Sequence, residues 1–282
     1  MPNMKSFNFT LIIVSLFVFS ASPVSSQDLY DSTHTLRYAN YLYQSGDYSQ
    51  AISEFERGIF NYNVDEKTKL RLIKAYRNSG RTEFALKRMN LLWNKPHLQS
   101  PDIAKEVFAL KILNKADTMC IRDISNNPLL KPDDKIFLSS TILLLNDQYE
   151  EAHQMLDSKV VDQSPEFNTL LKFSEQGMNL KYKSPFFSGF LSTILPGAGK
   201  VYTGNWENGL ISLIMVSSSV YQSYKGFEKY GTKSVYGWIF GAIGVGFYFG
   251  NIHGSVKAAN RYNFKNKNRI RENVQGVFIN NI

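Results

Sequence analysis

The chain has 282 residues, a hydrophobic content of 43%, a net charge of +8 and one cysteine. That length leaves room for two domains, and a lone cysteine excludes both an intramolecular disulfide framework and a cysteine-rich zinc site. The positive charge does not read as a nucleic-acid footprint. It is concentrated after residue 256, in Lys257, Arg261, Lys265, Lys267, Arg269 and Arg271, directly behind an apolar segment, where basic residues meet lipid headgroups or set membrane topology.

At the N-terminus, Lys5 precedes an apolar run at residues 9–19 (FTLIIVSLFVF), and residues 20–26 are small and polar around Pro23. This order is that of a secretory signal peptide spanning residues 1–26, with cleavage after Val24-Ser25-Ser26. The apolar run is short for a membrane span. Cys120 is far from the cleavage point, so no lipid-modified cysteine is expected at the mature N-terminus.

Residues 28–170 carry a period. Gly46 to Gly80 and Ala51 to Ala85 are each 34 residues, Leu42 falls on Tyr76, and Phe55 falls on Met89. A further unit opens at Asp147-Gln148-Tyr149 and reaches Ala152, 67 residues after Ala85, which leaves space for a degenerate unit near residues 114–119. Glycine frees the turn between two helices, the small alanine lets the second helix approach the first, and the large residue four later fills the next layer. The pattern resembles the tetratricopeptide-repeat (TPR) family, whose unit is a helix–turn–helix of this length. The match is good in the first two units and weaker in the later ones. Gly58 stands where alanine is usual, and Pro96 only approximates the closing proline.

The resemblance implies an all-α solenoid of about four units with a concave groove lined by the first helix of each. Its groove positions are Asn40, Tyr43 and Gln44 in the first unit and Lys74, Arg77 and Asn78 in the second. The second set is basic and amide-rich, suited to a carboxylate or an acidic segment of a protein partner. The plainer alternative is a solvated helix face.

Residues 171–185 read as a polar linker with Lys181 and Lys183 near its end, and residues 186–263 as a membrane module. The apolar stretch 186–195 is stopped by Pro196-Gly197. Ten helical residues rise about 15 Å, half of a bilayer core, so this is a half-helix, a re-entrant segment or an interfacial helix. Residues 210–220, continuing through Tyr221, make a marginal first span, and residues 235–252 an uncharged second one. Tyr202, Trp206, Tyr221, Tyr224, Tyr236 and Trp238 crowd the span ends, where amphipathic rings sit at headgroup level. On the second span Gly237, Gly241 and Gly244 share one face, with Gly246, Gly250 and Gly254 roughly opposite. Small residues allow close helix approach in lipid. One face is therefore expected against the first span and the other against a second copy, giving a homo-oligomer, or against a partner. Ser217, Ser218 and Ser219 are expected to bond across the hairpin.

The set Ser192, Pro196, Gly197, Gly199, Tyr202, Gly204 and Gly209 resembles the PGxGxxYxG signature of small two-span membrane modules. Residues 246–255, with Arg261-Tyr262-Asn263, resemble the second half of a module appended to TPR regions in bacterial envelope proteins. The resemblance covers residues 184–263, with Lys200 in place of the commoner glutamine. It implies an architecture and no activity.

Topology is in conflict. Two spans return the basic tail, residues 264–282, to the side of the exported repeats, against the positive-inside bias. Three crossings would relieve this, but ten residues cannot cross unaided, which favours two. No catalytic chemistry is legible. Gly199-Lys200 lacks the glycine spacing of a phosphate loop, Val201 stands where it needs Ser or Thr, and neither a GxSxG elbow nor an HExxH helix occurs. His34, His97, His153 and His253 are scattered. The expectation is an all-α, TPR-like solenoid with a C-terminal transmembrane helical hairpin. It would be a non-catalytic scaffold or assembly factor of the bacterial cell envelope with its repeats on the periplasmic side, needing no cofactor, metal or nucleic acid. The rivals are a subunit of a membrane enzyme or transporter centred on Lys200, and a self-associating membrane hairpin.

Overall fold

The computed structural model describes residues 31–157 and 164–282, and the expected signal peptide at residues 1–26 lies outside them. All regular structure among the described residues is helical, with no strand. The chain divides into two compact units, Met1–Asn94 and Lys95–Ile282.

The first unit contains α1 (Ser32–Gln44), α2 (Tyr48–Asn61), α3 (Glu66–Asn78) and α4 (Thr82–Leu92). Aspartates start three of them: Asp31, Asp47 and Asp65 accept hydrogen bonds from the backbone N–H of His34, Gln50 and Thr68, which satisfies donors that the first helical turn leaves open. Gly46 and Gly80 turn the chain at φ +84° and +78°. The 34-residue spacing carries through to packing: Ala51 and Ala85 are fully buried, and so are Phe55 and Met89. The departure at Gly58 has a steric reason, since a methyl there would stand 2.7 Å from Leu36 Cδ2 of α1. Arg88 of α4 ties back to α2 with both ends of its fork on the Glu56 carboxylate, at 2.8 and 2.6 Å.

The second unit opens with two further helix pairs, α5 (Pro101–Asn114) with α6 (Met119–Asn126), and α7 (Pro132–Leu145) with α8 (Tyr149–Leu156). The first of these pairs occupies the region of the expected degenerate unit. Then come α9 (Pro165–Met178), α10 (Pro185–Ile194), the single turn α11 (Ala198–Tyr202), α12 (Trp206–Tyr230) and α13 (Val235–Asn281). Helix α7 buries every residue from 137 to 144, with Ser140 and Thr141 turning their hydroxyls onto the Phe137 carbonyl of their own helix, and a helix buried all round must be covered on all sides. The far end of α13 supplies part of the cover. Its Ile270, Val274 and Phe278 are buried at i, i+4 and i+8, and the Phe278 ring stacks on Phe137 at 5.8 Å. Phe137 in turn meets Phe167 of α9 edge-on at 6.0 Å.

Two boundaries drawn from the sequence therefore move. Residues 264–282 are no tail: through Asn281 they are the last turns of α13, one face of which enters the core of the helical layer through Ile270, Val274 and Phe278. The polar stretch read as a linker from residue 171 is helical through Met178, leaving only residues 179–184 as connection. Both misreadings share a cause. The buried face of a long helix occupies every fourth residue and is diluted by solvated basic residues between, so it looks polar in a linear reading.

Helix α13 is 47 residues long, about 70 Å at 1.5 Å per residue. Among the described residues it is the one helix long and apolar enough to cross a membrane, with a mean hydropathy of 1.3 over its most apolar 18 residues and only 17% of that window buried. Helix α12, which contains the expected first span, falls short of that apolarity. A short 3-10 turn, Gly231–Lys233, joins the two, and the Ser234 hydroxyl caps α13 by accepting from Gly237 N–H at 3.0 Å.

Truncating Phe278 to alanine should cost about 3–5 kcal/mol, as for other buried phenylalanines. Ile279→Ala, on the exposed side of the same turn, should stay within about 0.5 kcal/mol. Thermal unfolding of the two variants in neutral detergent checks the difference.

Candidate functional site

The densest polar construction in the second unit surrounds the break between α10 and α12. Pro185 and the Ser184 hydroxyl, which accepts from Phe187 N–H at 3.2 Å, start α10. Leu195 and Pro196 end it. Gly197 takes φ +91°, a left-handed conformation that glycine alone adopts without cost. A Cβ at Gly197 would run into the Gly209 carbonyl, and one at Gly199 into the Ser188 carbonyl. The motif glycines are thus places where one backbone lies directly on another.

The end of α10 leaves carbonyls unpaired and the start of α11 leaves N–H groups unpaired, and side chains of α13 and α10 supply the partners. Asn251, 4% exposed, accepts from Gly197 N–H through Oδ1 at 3.1 Å and donates through Nδ2 to the Ser192 carbonyl at 3.3 Å. Ser192 Oγ accepts from Gly199 N–H at 3.0 Å and lies 2.7 Å from Ser255 Oγ. Ser255 donates to the Asn251 carbonyl at 2.9 Å, so the proton between the two hydroxyls belongs to Ser192. The Ser188 hydroxyl lies 2.9 Å from the Gly199 carbonyl and 2.8 Å from that of Ser255, one proton between two acceptors. Farther along α13, the Asn263 amide clasps the backbone of Lys183, accepting from its N–H at 2.8 Å and donating to its carbonyl at 2.9 Å. Ser188, Ser192 and Ser255 are fully buried.

Asn251, Ser255, the fully buried Ala259 and Asn263 stand four residues apart and form one seam of α13. Ser188 and Ser192 form the matching pair on α10. Sequence reasoning missed Ser188 and gave Asn251 and Asn263 no role beyond their place in a motif, though small polar residues at four-residue intervals beside an apolar run are the signal that could have found their seam. Tyr202 packs edge-on against Phe187 at 5.3 Å, under the Lys183 ammonium at 4.5 Å, and its hydroxyl accepts from Ser184 N–H at 3.4 Å. Gly204 turns the chain at φ +81° ahead of α12.

The glycines of α13 separate into two groups. Gly237, Gly241 and Gly244 lie against Phe227, Ser223 and Ser219 of α12. A methyl added at Gly246 or Gly250 would meet nothing within 4 Å, and Gly254 lies beside Lys200. The serines expected to bridge α12 and α13 do not. Ser217 and Ser218 are exposed, and Ser219 bonds to the Met215 carbonyl of its own helix. Ser223 makes the crossing, to the Gly237 carbonyl at 2.9 Å. Lys200 is hydrogen-bonded at the break without a counter-charge among the described residues; its ammonium donates to Ser212 Oγ at 2.6 Å.

A second polar construction fixes the other end of α13. Asp147, in the turn between α7 and α8, has φ +63°, the left-handed position that Gly46 and Gly80 fill in the first unit. A non-glycine residue there costs about 1 kcal/mol. The return is an ion-pair triad. Lys267 Nζ reaches Asp147 Oδ2 at 3.0 Å, and Arg271 takes both carboxylate oxygens at 3.1 and 2.7 Å. Burial works to raise the Asp147 pKa, but the Lys267 hydrogen bond, the Tyr149 hydroxyl and the Arg271 charge outweigh it and hold the carboxyl below its ordinary value. Burial and the same carboxylate push the Tyr149 phenol up.

In the first unit the expected groove residues are partly engaged with each other. Asn40 accepts from Arg71 at 2.6 Å, and Asn78 donates to the Tyr43 hydroxyl at 3.4 Å. The Tyr43 ring packs inward against Tyr48 and Phe55. Arg77 is buried, 8% exposed, whereas Gln44 is exposed and Lys74 half-buried. The open surface on this face is thus that of Gln44, Lys74 and Asn78. Comparison of the chain with protein-family models, with curated proteins and with solved structures finds no match.

Asn251→Leu, similar in volume, leaves the Gly197 N–H and Ser192 carbonyl unpaired in a buried place and should cost about 2–4 kcal/mol. Asn273→Leu, on an exposed position of the same helix, should be near neutral in the same thermal melt. Asp147→Asn should cost about 1–2 kcal/mol near pH 7, the pair being discounted because Lys267 and Arg271 are about a third exposed. Since the folded-state pKa is depressed, that contribution is complete above the unfolded value of about 3.9. It is lost only as pH falls through the folded value. The melting difference between wild type and Asp147→Asn should therefore be flat from pH 8 to pH 6 and close in strong acid.

Proposed function

We propose that this chain is a non-catalytic, membrane-anchored interaction scaffold or assembly factor, with TPR-like helical repeats that hold a protein partner beside a bilayer into which a C-terminal helical hairpin inserts. The observation that carries the reading is the double character of α13. Its first half exposes Trp238, Ile239, Ile243, Val245, Phe247 and Phe249, apolar surface that water does not tolerate in such continuity. Its last turns bury Ile270, Val274 and Phe278 against α7 and α9. A core helix of a water-soluble protein would be buried along its apolar half instead.

The four helix pairs, the 34-residue spacing and the matching burial of Ala51 with Ala85 and Phe55 with Met89 support the TPR-like reading. The packing of α12 along α13 through Gly237, Gly241 and Gly244 supports a hairpin. The burial of Phe278 against Phe137 favours two crossings over three, because it keeps residues 264–282 beside the helices at 101–178. The positive-inside bias weighs less than the sequence suggests, since two of the basic residues, Lys267 and Arg271, are paired with Asp147. The signal-peptide pattern at residues 1–26 supports export to the periplasmic side of a bacterial envelope membrane.

A tagged full chain, crosslinked in membranes and affinity-purified, should capture a protein partner. Gln44→Glu combined with Lys74→Glu, both at accessible positions, should reduce that capture about tenfold or more, a loss in the range of interface side chains of consequence. Capture unchanged by the pair would remove the groove from the function.

A further inference from the structure

Where α13 leaves its apolar stretch, cations gather without an acid among them. Lys257 and Arg261, one turn apart on the same helix, border with Asn260 and Phe264 an open, shallow depression of about 640 Å³ with mostly apolar walls along one face of α13. Lys200 approaches from α11, its Cε 3.3 Å from where a methyl on Gly254 would stand, and Arg261 acts on it as a like charge. No ion pair of Lys200, Lys257 or Arg261 occurs among the described residues, whereas Lys267 and Arg271, farther along α13, are both paired with Asp147. Like charges held together in a concavity focus a field that an anion relieves.

The chemistry of the set narrows the anion. A guanidinium offers a planar fork of donors that matches a phosphate, a lysine ammonium adds a compact charge, and an asparagine amide donates to an ester or hydroxyl oxygen. The apolar walls and the Phe264 ring, 63% exposed, suit a phosphate that carries hydrocarbon better than a free one. The level is right as well. Lys257 follows the apolar stretch by little more than one helical turn, and the nearby Tyr202 and Tyr262 rings, both beneath Lys183 at 4.5 and 5.9 Å, are of the kind that gathers in the headgroup layer.

We propose that Lys257, Asn260 and Arg261 bind the phosphate of an anionic phospholipid headgroup, with Lys200 adding charge from the membrane side and Phe264 closing the site toward water. This rests on the membrane reading above.

Full-length protein in neutral detergent is titrated with phosphatidylglycerol and with phosphatidylcholine, and bound lipid is counted by native mass spectrometry. Wild type should prefer phosphatidylglycerol. Lys257→Gln with Arg261→Gln should lower its affinity about 25-fold, about fivefold for each charge removed, and abolish the preference. Lys229→Gln with Lys233→Gln, at the opposite end of α12 and α13, should change it less than twofold. Equal loss in both double variants, or no preference in wild type, overturns the site. Displacement of the lipid by millimolar inorganic phosphate overturns the lipid as its source. Flotation with pure phosphatidylcholine vesicles separates the two readings: protein that floats but shows no preference fails this inference alone, and protein that does not float fails the membrane reading and this inference with it.

Discussion

A backbone group that leaves a helix must find another partner, and where water is scarce it must find one in the protein. The chain meets that constraint at one place, the Pro196-Gly197 break, with side chains from a helix more than fifty residues away. Asn251 and Ser255 are fixed on α13, Ser188 and Ser192 on α10, and the freed N–H groups of Gly197 and Gly199 fall between them. This lattice joins α10 and α11 to α13 and holds the break where Gly197 lies directly on Gly209 of α12. Removing a single member strands polar groups that no neighbour is positioned to rescue, which is why the bonded set behaves as one construction and not as separate contacts.

The same helix serves both halves of the unit. Near its start it offers glycines to α12; in the middle it offers amides and hydroxyls to the break; at its end it offers Ile270, Val274 and Phe278 to the helical layer. Each stretch uses a different chemistry along roughly one side of the rod, and the polar seam at Asn251, Ser255 and Asn263 runs into the apolar seam at Ile270 and Val274. Asp147 is the counterpart on the helical layer. Its backbone conformation is one that the equivalent turns reserve for glycine, and its carboxylate is the group that Lys267 and Arg271 both reach. A local conformational penalty is accepted there for a long-range attachment.

Much of the fold is legible in the sequence. The glycine-to-alanine spacing locates the turns at Gly46, Gly80 and Asp147, and the Pro-Gly break marks a place where a helix stops. What escapes is long-range. Residues 264–282 read as a basic tail because Lys265, Arg269 and Glu272 are solvated and hide the buried residues between them; the burial of Ile270, Val274 and Phe278 requires α7 to be short of cover on one side, which no local pattern states. Arg77 reads as an accessible groove cation, yet it is buried in α3. Ser217, Ser218 and Ser219 draw attention as a run, but only Ser219 of the three faces α13, its hydroxyl is taken by the Met215 carbonyl, and the crossing bond is made one turn on by Ser223. Asn251 and its partner Ser192 are 59 residues apart in the chain, beyond the reach of spacing arguments.

The unbroken length of α13 has a mechanical meaning. A straight α-helix transmits twist, since each turn is bolted to the next by hydrogen bonds along its axis. With one end gripped by Asp147 and the packing of Phe278 on Phe137, and the other laid against α12, the element is a torsion bar. Between those ends the same rod is held at Asn251 and Asn263, so the packing of Gly237 on Phe227 and that of Phe278 on Phe137 are joined through one continuous backbone.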